Sequence, residues 1–297
     1  MNKRRSELVS RLKSEAIETK WGPSPVEIWK SKISSHYEGD VSDFRRRKIS
    51  SGTINPPDRP KKLVEEPYPN DSWYRRVINT VTLMKLLGRL EVHSLLFNGS
   101  LFKYCPELNS HKFRRFSIPN NYLSEIGIRM SYYSHRIKKM GLENPVILEI
   151  GAGYGSLSNY LKGNYSKYII VDLIENLILS SEYLSEAGLN FDVFPVISDD
   201  DDSIHLLAGG DIQKLDNVDI VVNTMSMQHM SEENLKYYFN QINRLNPALI
   251  YLVNRNIKRD PTDIEIQNYP VPKRYKVKKR NFIFSRNYSE ILFERKT

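Results

Sequence analysis

The strongest chemical signal in the chain is a run of alternating glycines flanked by two carboxylates. The run reads Glu149-Ile150-Gly151-Ala152-Gly153-Tyr154-Gly155-Ser156. Glycines spaced this way let the backbone turn sharply and let a ligand approach the main chain with no Cβ in the way. The second acid, Asp172, stands 17 residues beyond Gly155, about the interval at which a Rossmann-like unit sets a carboxylate on a ribose diol. The alternative for Asp172 is a cap on the next helix. A pyrophosphate site spaces its last two glycines differently, so that the anion meets a helix N-terminus. Glu149, two residues before the first glycine, is badly placed for a pyrophosphate and well placed for a ligand carrying cationic groups. Glu149, Gly151, Ala152, Gly153, Gly155 and Asp172 are therefore the candidate cofactor-binding residues.

The surrounding elements must hold these groups at one edge of a sheet. After Pro145 a short apolar run at 146–150 reads as a buried strand, and residues 155–161 open a helix. A second strand is expected at 168–171, followed by a helix at 175–186 that stops at Gly188. Residues 191–196 and 204–207 compete for the third strand, and 218–223 reads as the fourth. Ser231 is placed to N-cap a helix whose apolar face is Leu235, Tyr238, Phe239 and Ile242, with Glu232 and Glu233 in its favourable first turn. A fifth strand at 248–253 and two β-rich runs, 275–284 and 291–295, complete the pattern; the last two form a terminal hairpin. Strands alternating with helices imply an α/β fold with a parallel sheet covered on both faces.

The acid-x-Gly-x-Gly-x-Gly pattern is the signature of class I methyltransferases that use S-adenosyl-L-methionine, and this stretch closely resembles it. The likeness extends to sugar O-methyltransferases of bacterial surface-polysaccharide gene clusters. It rests on Ile147-Leu148-Glu149-Ile150-Gly151-Ala152-Gly153, on Val171-Asp172-Leu173 with Glu175-Asn176-Leu177, and on Val222-Asn223-Thr224-Met225-Ser226-Met227-Gln228. Tyr251-Leu252-Val253-Asn254-Arg255-Asn256 belongs to it too, with fainter echoes at Phe44-Arg45-Arg46 and Ser50-Ser51-Gly52. Two positions depart from it: His229 stands where an acid is expected after the glutamine, and Leu173-Ile174 replaces a leucine-proline pair.

The resemblance implies a Rossmann-like class I methyltransferase sheet of seven strands ending in an antiparallel hairpin. It implies S-adenosyl-L-methionine as cofactor, and a sugar, nucleotide-sugar or glycan acceptor. Asp211, in Gly209-Gly210-Asp211-Ile212, would meet the adenine amino group, its alternative being a turn aspartate. Gln228, Asn254 and Arg255 would line the acceptor side, or else serve loop and cap hydrogen bonds.

In such a sheet ligands bind beyond the carboxyl ends of the strands, where strand order reverses. The segment from Asn223 to Met230 would then face the reacting methyl, with Asn223 on the cofactor side. Displacement at a methyl carbon depends on alignment, and a hydroxyl acceptor also needs a base to take its proton. His229 is the histidine at this edge, and an ordinary imidazole pKa of about 6.5 suits that role. Its alternative is a histidine satisfied at the start of the following helix.

Composition sets the frame. The chain has 297 residues, a single cysteine (Cys105) and a formal net charge of +9. One cysteine permits no intrachain disulfide. No apolar run approaches the roughly 20 residues of a membrane span, and the charged start is not a signal peptide; a cytoplasmic protein is expected. Basic residues concentrate in Arg45-Arg46-Arg47-Lys48 and from Lys273 to Arg280, outside any nucleic-acid motif, so they read as solvated surface.

Residues 1–119 show no strand alternation but carry Trp21, Trp29 and Trp73, several prolines and a helical stretch near 78–90. They read as a mainly helical extension covering the acceptor side of a cofactor-binding domain at 120–297. Apolar positions Leu123, Ile126, Met130, Tyr133, Ile137 and Met140 mark one face of a helix. Four consecutive aspartates, Asp199 to Asp202, cannot converge on one ion, so no metal is expected. A nucleic-acid partner is not expected either; an RNA methyltransferase and a non-catalytic donor-binding component of a polysaccharide assembly complex are the competing functions. A homo-oligomer is compatible with all three.

Overall fold

The computed structural model describes residues 125–193, 202–258, 263–282 and 285–296. They fall into two compact units, one ending at Met140 and one beginning at Gly141. In the first, helix α1 (Glu125–Lys138) occupies the stretch whose apolar spacing predicts it, and Tyr133 and Ile137 of the predicted face are buried. The expected boundary near residue 119, the extension before it and Asp199 to Asp201 lie outside the described residues.

The second unit is built on one sheet. Its strands are β1 (Val146–Ile150), β2 (Lys167–Asp172), β3 (Phe191–Val193), β4 (Ser203–Ala208), β5 (Ile220–Thr224), β6 (Leu249–Arg255), β7 (Tyr275–Asn281) and β8 (Tyr288–Arg295). They lie in the order β3-β4-β2-β1-β5-β6-β8-β7. Strands β1 to β6 are parallel, β8 runs back against β6, and β7 pairs antiparallel outside β8. The seven strands from β4 to β7 in this order form the expected Rossmann-like class I methyltransferase sheet with its terminal hairpin.

The eighth strand corrects the expected number. The two segments that compete for the third position are both strands. β4 pairs with β2 along its whole length, and all six of its residues are buried. A strand buried on both faces is poorly suited to an edge, and the three-residue β3 covers its outer side.

The pleat separates two kinds of side chain along β1. Leu148 and Ile150 join Ile169, Val171, Leu207, Val221, Ile250 and Leu252 in the core on one face. Helix α4 (Glu232–Leu245) packs there through Leu235, Phe239, Ile242 and Leu245. Alternation turns Ile147 and Glu149 to the opposite face. On that side run α2 (Ser156–Leu161) and α3 (Ile174–Glu186); Gly155, at the start of α2, lies against Ile170.

Between β4 and β5 the expected alternation fails. The connection holds only a 3₁₀ helix at Gly209–Lys214, whose Ile212 enters the core beside Leu215 and Val218. Arg244 of α4 closes it, donating from Nη1 to the Leu215 carbonyl at 2.7 Å and from Nη2 to the Ile212 carbonyl at 2.9 Å. The start of α4 is capped as its sequence predicts, Ser231 Oγ accepting the Asn234 N–H at 3.2 Å. At the far edge of the sheet, Lys276, Lys278, Lys279 and Arg280 of β7 are exposed. Such a charged edge resists pairing with another chain.

Urea unfolding should rank two α4 variants. Ser231→Ala removes a cap and is expected to cost about 1 kcal/mol. Arg244→Ala strips charged donors from two carbonyls and is expected to cost about 2 kcal/mol. Equal midpoints for Arg244→Ala and the parent protein would refute the closing role of that guanidinium.

Candidate cofactor and acceptor site

The glycine loop is shaped by what surrounds it. Gly151, Gly153 and Gly155 have φ of +74°, +67° and +78°, the left-handed region that side chains disfavour. Space adds a second constraint at two of them. A Cβ on Gly151 would collide with Ser226 Oγ, and one on Gly155 would lie 2.9 Å from Ile170 Cδ1. The loop is tied to β2 by two bonds, Gly151 N–H to the Val171 carbonyl and Gly153 N–H to Asp172 Oδ2, each 2.7 Å. Half-buried Ala152 turns its carbonyl inward to accept the Gly155 N–H at 3.1 Å.

The two acids have different surroundings. Asp172, at the end of β2, also takes the Leu173 N–H and the Asn176 amide on Oδ1, both at 2.7 Å. It therefore braces the loop and the start of α3 at once. Glu149 is 2% exposed and accepts the Tyr168 hydroxyl on Oε2 at 2.7 Å. Among the described residues Tyr168 is the only donor to this carboxylate, and no lysine, arginine or histidine pairs with it. Burial pushes its pKa up to about 7; the Tyr168 bond works against that rise, and the nearby Asp172 charge adds to it. A carboxylate taken from water without a cation is strained electrostatically, and a bound cation would relieve it.

On the neighbouring side, the segment after β5 is held by side-chain amides. Asn223 is fully buried. Its Nδ2 donates to the Ile150 carbonyl and to Ser226 Oγ, and its Oδ1 accepts the Met227 N–H and Asn254 Nδ2. All four hydrogen-bonding positions of the amide are thus filled by protein. In the free protein its side chain therefore acts as a strut.

Asn254 is likewise engaged within the protein: it is fully buried, with Oδ1 accepting the Gln228 N–H and Nδ2 held by Asn223. Gln228, 2% exposed, accepts the Arg255 N–H on Oε1 at 3.0 Å. Arg255 turns its guanidinium to Asp263, with Nη1 to Oδ2 at 2.8 Å. Burial acts to lower its pKa, but Tyr288 and Asp263 outweigh this and hold it above the ordinary value. Gln228 and Arg255 therefore knit β6 to the segment after β5, which accounts for them without an acceptor.

Half-buried His229 follows Gln228. Its Nε2 lies 3.2 Å from Gln228 Nε2. The Arg255 N–H can only donate, which fixes Oε1 opposite it and leaves the Gln228 NH₂ as donor to His229. In the neutral ring that contact makes Nε2 the acceptor and puts the proton on Nδ1. The segment also holds Met225 at φ +61°, a strained conformation for a side chain and one that clusters at functional sites.

Asp211 is 2% exposed, within the 3₁₀ helix after β4, and Lys214 Nζ lies 2.8 Å from its Oδ1. Close by, Tyr237 donates to the Gly209 carbonyl at 3.3 Å, and a Cβ on Gly209 would stand 2.6 Å from the Tyr238 hydroxyl. The Asp172 charge is felt at Tyr238, whose phenol is pushed up chiefly by burial. Asp172 and Ala208 are register partners on β2 and β4. The acids at 172 and 211 thus follow register-paired strand ends, and the Tyr238 hydroxyl lies close to Gly209. Sequence reasoning assigned Tyr238 only to the apolar face of its helix and left Tyr168 and Ser226 without a role.

No family model and no curated protein matches the chain. Among solved structures it is similar to an rRNA methylase from Streptococcus thermophilus, at 15% identity over 56% of this chain and 96% of that one, TM-score 0.40. It is similar also to the PH0226 protein of Pyrococcus horikoshii OT3, at 14% identity over 58% and 92%, TM-score 0.44. A third is the YcgJ protein of Bacillus subtilis, at 13% identity over 56% and 99%, TM-score 0.41. The strand order, rather than these alignments, defines the fold, and no activity is carried across from them.

Asn254→Ala should leave the Gln228 N–H unpaired in the interior and take from Asn223 Oδ1 one of its two donors, the Met227 N–H remaining. A loss of about 2–3 kcal/mol in unfolding free energy is expected. An unchanged denaturation midpoint would show that the amide chain does not hold this edge.

Proposed function

We propose that the chain is an S-adenosyl-L-methionine-dependent methyltransferase acting on a hydroxyl of a sugar or sugar-containing acceptor. The observation that carries the cofactor is Glu149: a buried carboxylate with a tyrosine donor but no cationic partner among the described residues, beside glycines held in left-handed turns. The residues present fit the donor. Glu149 would face its positive charge, the bare backbone at Gly151 to Gly155 would pass close to it, and Asp172 would take its ribose. When bound, S-adenosyl-L-methionine supplies an electrophilic methyl on sulfur. The chain's part is then to align the acceptor with that methyl and to accept a proton.

His229 is the proposed base. Its Nε2 lone pair is held by Gln228, so that contact must open before the ring accepts a proton there. The acceptor class rests on the resemblance of the segments around Asn223 and Asn254 to sugar O-methyltransferases, since the polar side chains of those segments are engaged within the protein. A cytoplasmic setting is part of the same reading; no helix among the described residues is long and apolar enough to cross a membrane. The exposed lysines and arginine of β7 favour one second reading, an RNA acceptor. It would appear as RNA binding that weakens steeply with salt.

Isothermal titration with S-adenosyl-L-methionine tests the cofactor. Binding should strengthen as pH rises toward 7, because the ionised form of Glu149 binds the cation, and should weaken by up to tenfold per unit below that. The ligand-free protein should show the opposite trend. A carboxyl whose folded pKa lies above its unfolded value contributes stability at low pH that is lost as pH rises through about 7. A folded protein that binds no donor would sink the cofactor assignment.

For the chemistry, labelled donor with a panel of nucleotide sugars and surface glycans should reveal transfer. His229→Ala is expected to lower kcat by about 10²- to 10⁴-fold with donor affinity unchanged. Full turnover by that variant would remove His229 from the mechanism.

A further inference from the structure

Tyr168 is fully buried on β2, on the same sheet face as Glu149. The register pairs Ile147 with Tyr168 and Glu149 with Ile170, which makes Tyr168 the diagonal neighbour of Glu149. A long side chain in a strand leans along the strand direction, and this one delivers its hydroxyl to Glu149 Oε2 at 2.7 Å. Behind it the Tyr165 ring stands edge-on, with centroids 5.1 Å apart and planes at 63°. The phenol cannot swing away without disturbing that packing. A hydroxyl buried this deeply costs stability unless it is bonded, and the described bond of this one is to the carboxylate.

We propose that Tyr168 is the positioning residue of the donor site: its hydrogen bond fixes the Glu149 carboxylate in place so that it can receive the donor's cation. This rests on the reading of Glu149 as the donor's partner. The phenol is suited to the task because it keeps its proton. Burial first, and then the charge of Glu149, raise its pKa well above the ordinary value, so it donates to the carboxylate across the working pH range. The other titratable groups acting on the pair are Asp172, at the end of the same strand, and Tyr165 behind, with Asp202 acting on Tyr165. Asp172 disfavours ionisation of Glu149, which leaves the Tyr168 bond as the interaction among the described residues that favours it.

The test separates charge from packing. In the ligand-free protein, carbon-13 NMR should show the Glu149 carboxyl of Tyr168→Phe titrating about one unit higher than in the parent. Site-specific 3-fluorotyrosine at position 168 keeps the volume and has a more acidic phenol, so it should move that titration the other way. Donor affinity at pH 7 should fall about tenfold in Tyr168→Phe. In a Glu149→Gln background the same change should weaken binding by less than twofold, since the charge it supports is gone.

An unmoved Glu149 titration in both position-168 variants would overturn the proposal. So would an equal loss of affinity in the two backgrounds, which would mean that the phenol only packs. If Tyr168→Phe does not fold, the fluorotyrosine protein alone decides. Failure of the parent protein to bind donor, with the NMR shifts as expected, would instead overturn the donor-site reading and leave the Tyr168–Glu149 coupling standing.

Discussion

The carboxyl ends of β1, β5 and β6 are joined through one buried amide, Asn223, and the geometry of the candidate site depends on it. Its Nδ2 reaches the last carbonyl of β1, and its Oδ1 receives the amide of Asn254 on β6. Three parallel strands end together, and a polar side chain supplies the cross-links where the ladder stops. An amide buried in this way is favourable only when every donor and acceptor is met, and here each is. The same cross-links press Ser226 against the backbone of the glycine loop, so that only a residue without a side chain fits at Gly151. Loop and acceptor edge are therefore not independent features.

Electrostatics set the second constraint. Two carboxylates stand at the ends of adjacent strands, and the protein treats them unequally. Asp172 is wrapped by donors from its own chain. Glu149 has one phenol, while burial and the Asp172 charge both oppose its ionisation, so its charge is poorly supported in the free protein. On the proposed reading, the counter-charge that this acid lacks arrives with the donor. Stability given up in the free state can return as binding energy.

Local patterns announced the glycine loop, the strands and the cap of α4, because they depend on short-range rules. The apolar run from Val146 to Ile150, the spacing of Gly151, Gly153 and Gly155, and Ser231 before two glutamates all carry their meaning within a few residues. What local patterns could not show depended on register. Asn223 and Asn254 look like ligand readers in sequence, since amides after strands often are, and only the pairing of β5 with β6 turns them toward each other. Tyr168 looks like one more β-forming aromatic until β1 is laid beside it. The count of strands was missed for a different reason. Residues 191–196 and 204–207 read as rivals for one place, and only the burial of β4 along its length gives β3 a place beside it.

The β4–β5 connection carries a consequence for cooperativity. In a doubly wound sheet each crossover helix commonly shields its own strip of strand surface. Here the crossover is a single 3₁₀ helix, and α4 packs both on the sheet and on that connection, with Arg244 fastening the two. Lifting α4 would uncover Val171 and Leu207 of strands it does not adjoin in sequence, along with Ile250 and Leu252 of the strand that follows it. One face of the sheet therefore opens as a whole or stays closed as a whole, leaving independent local breathing to the side that carries α2 and α3.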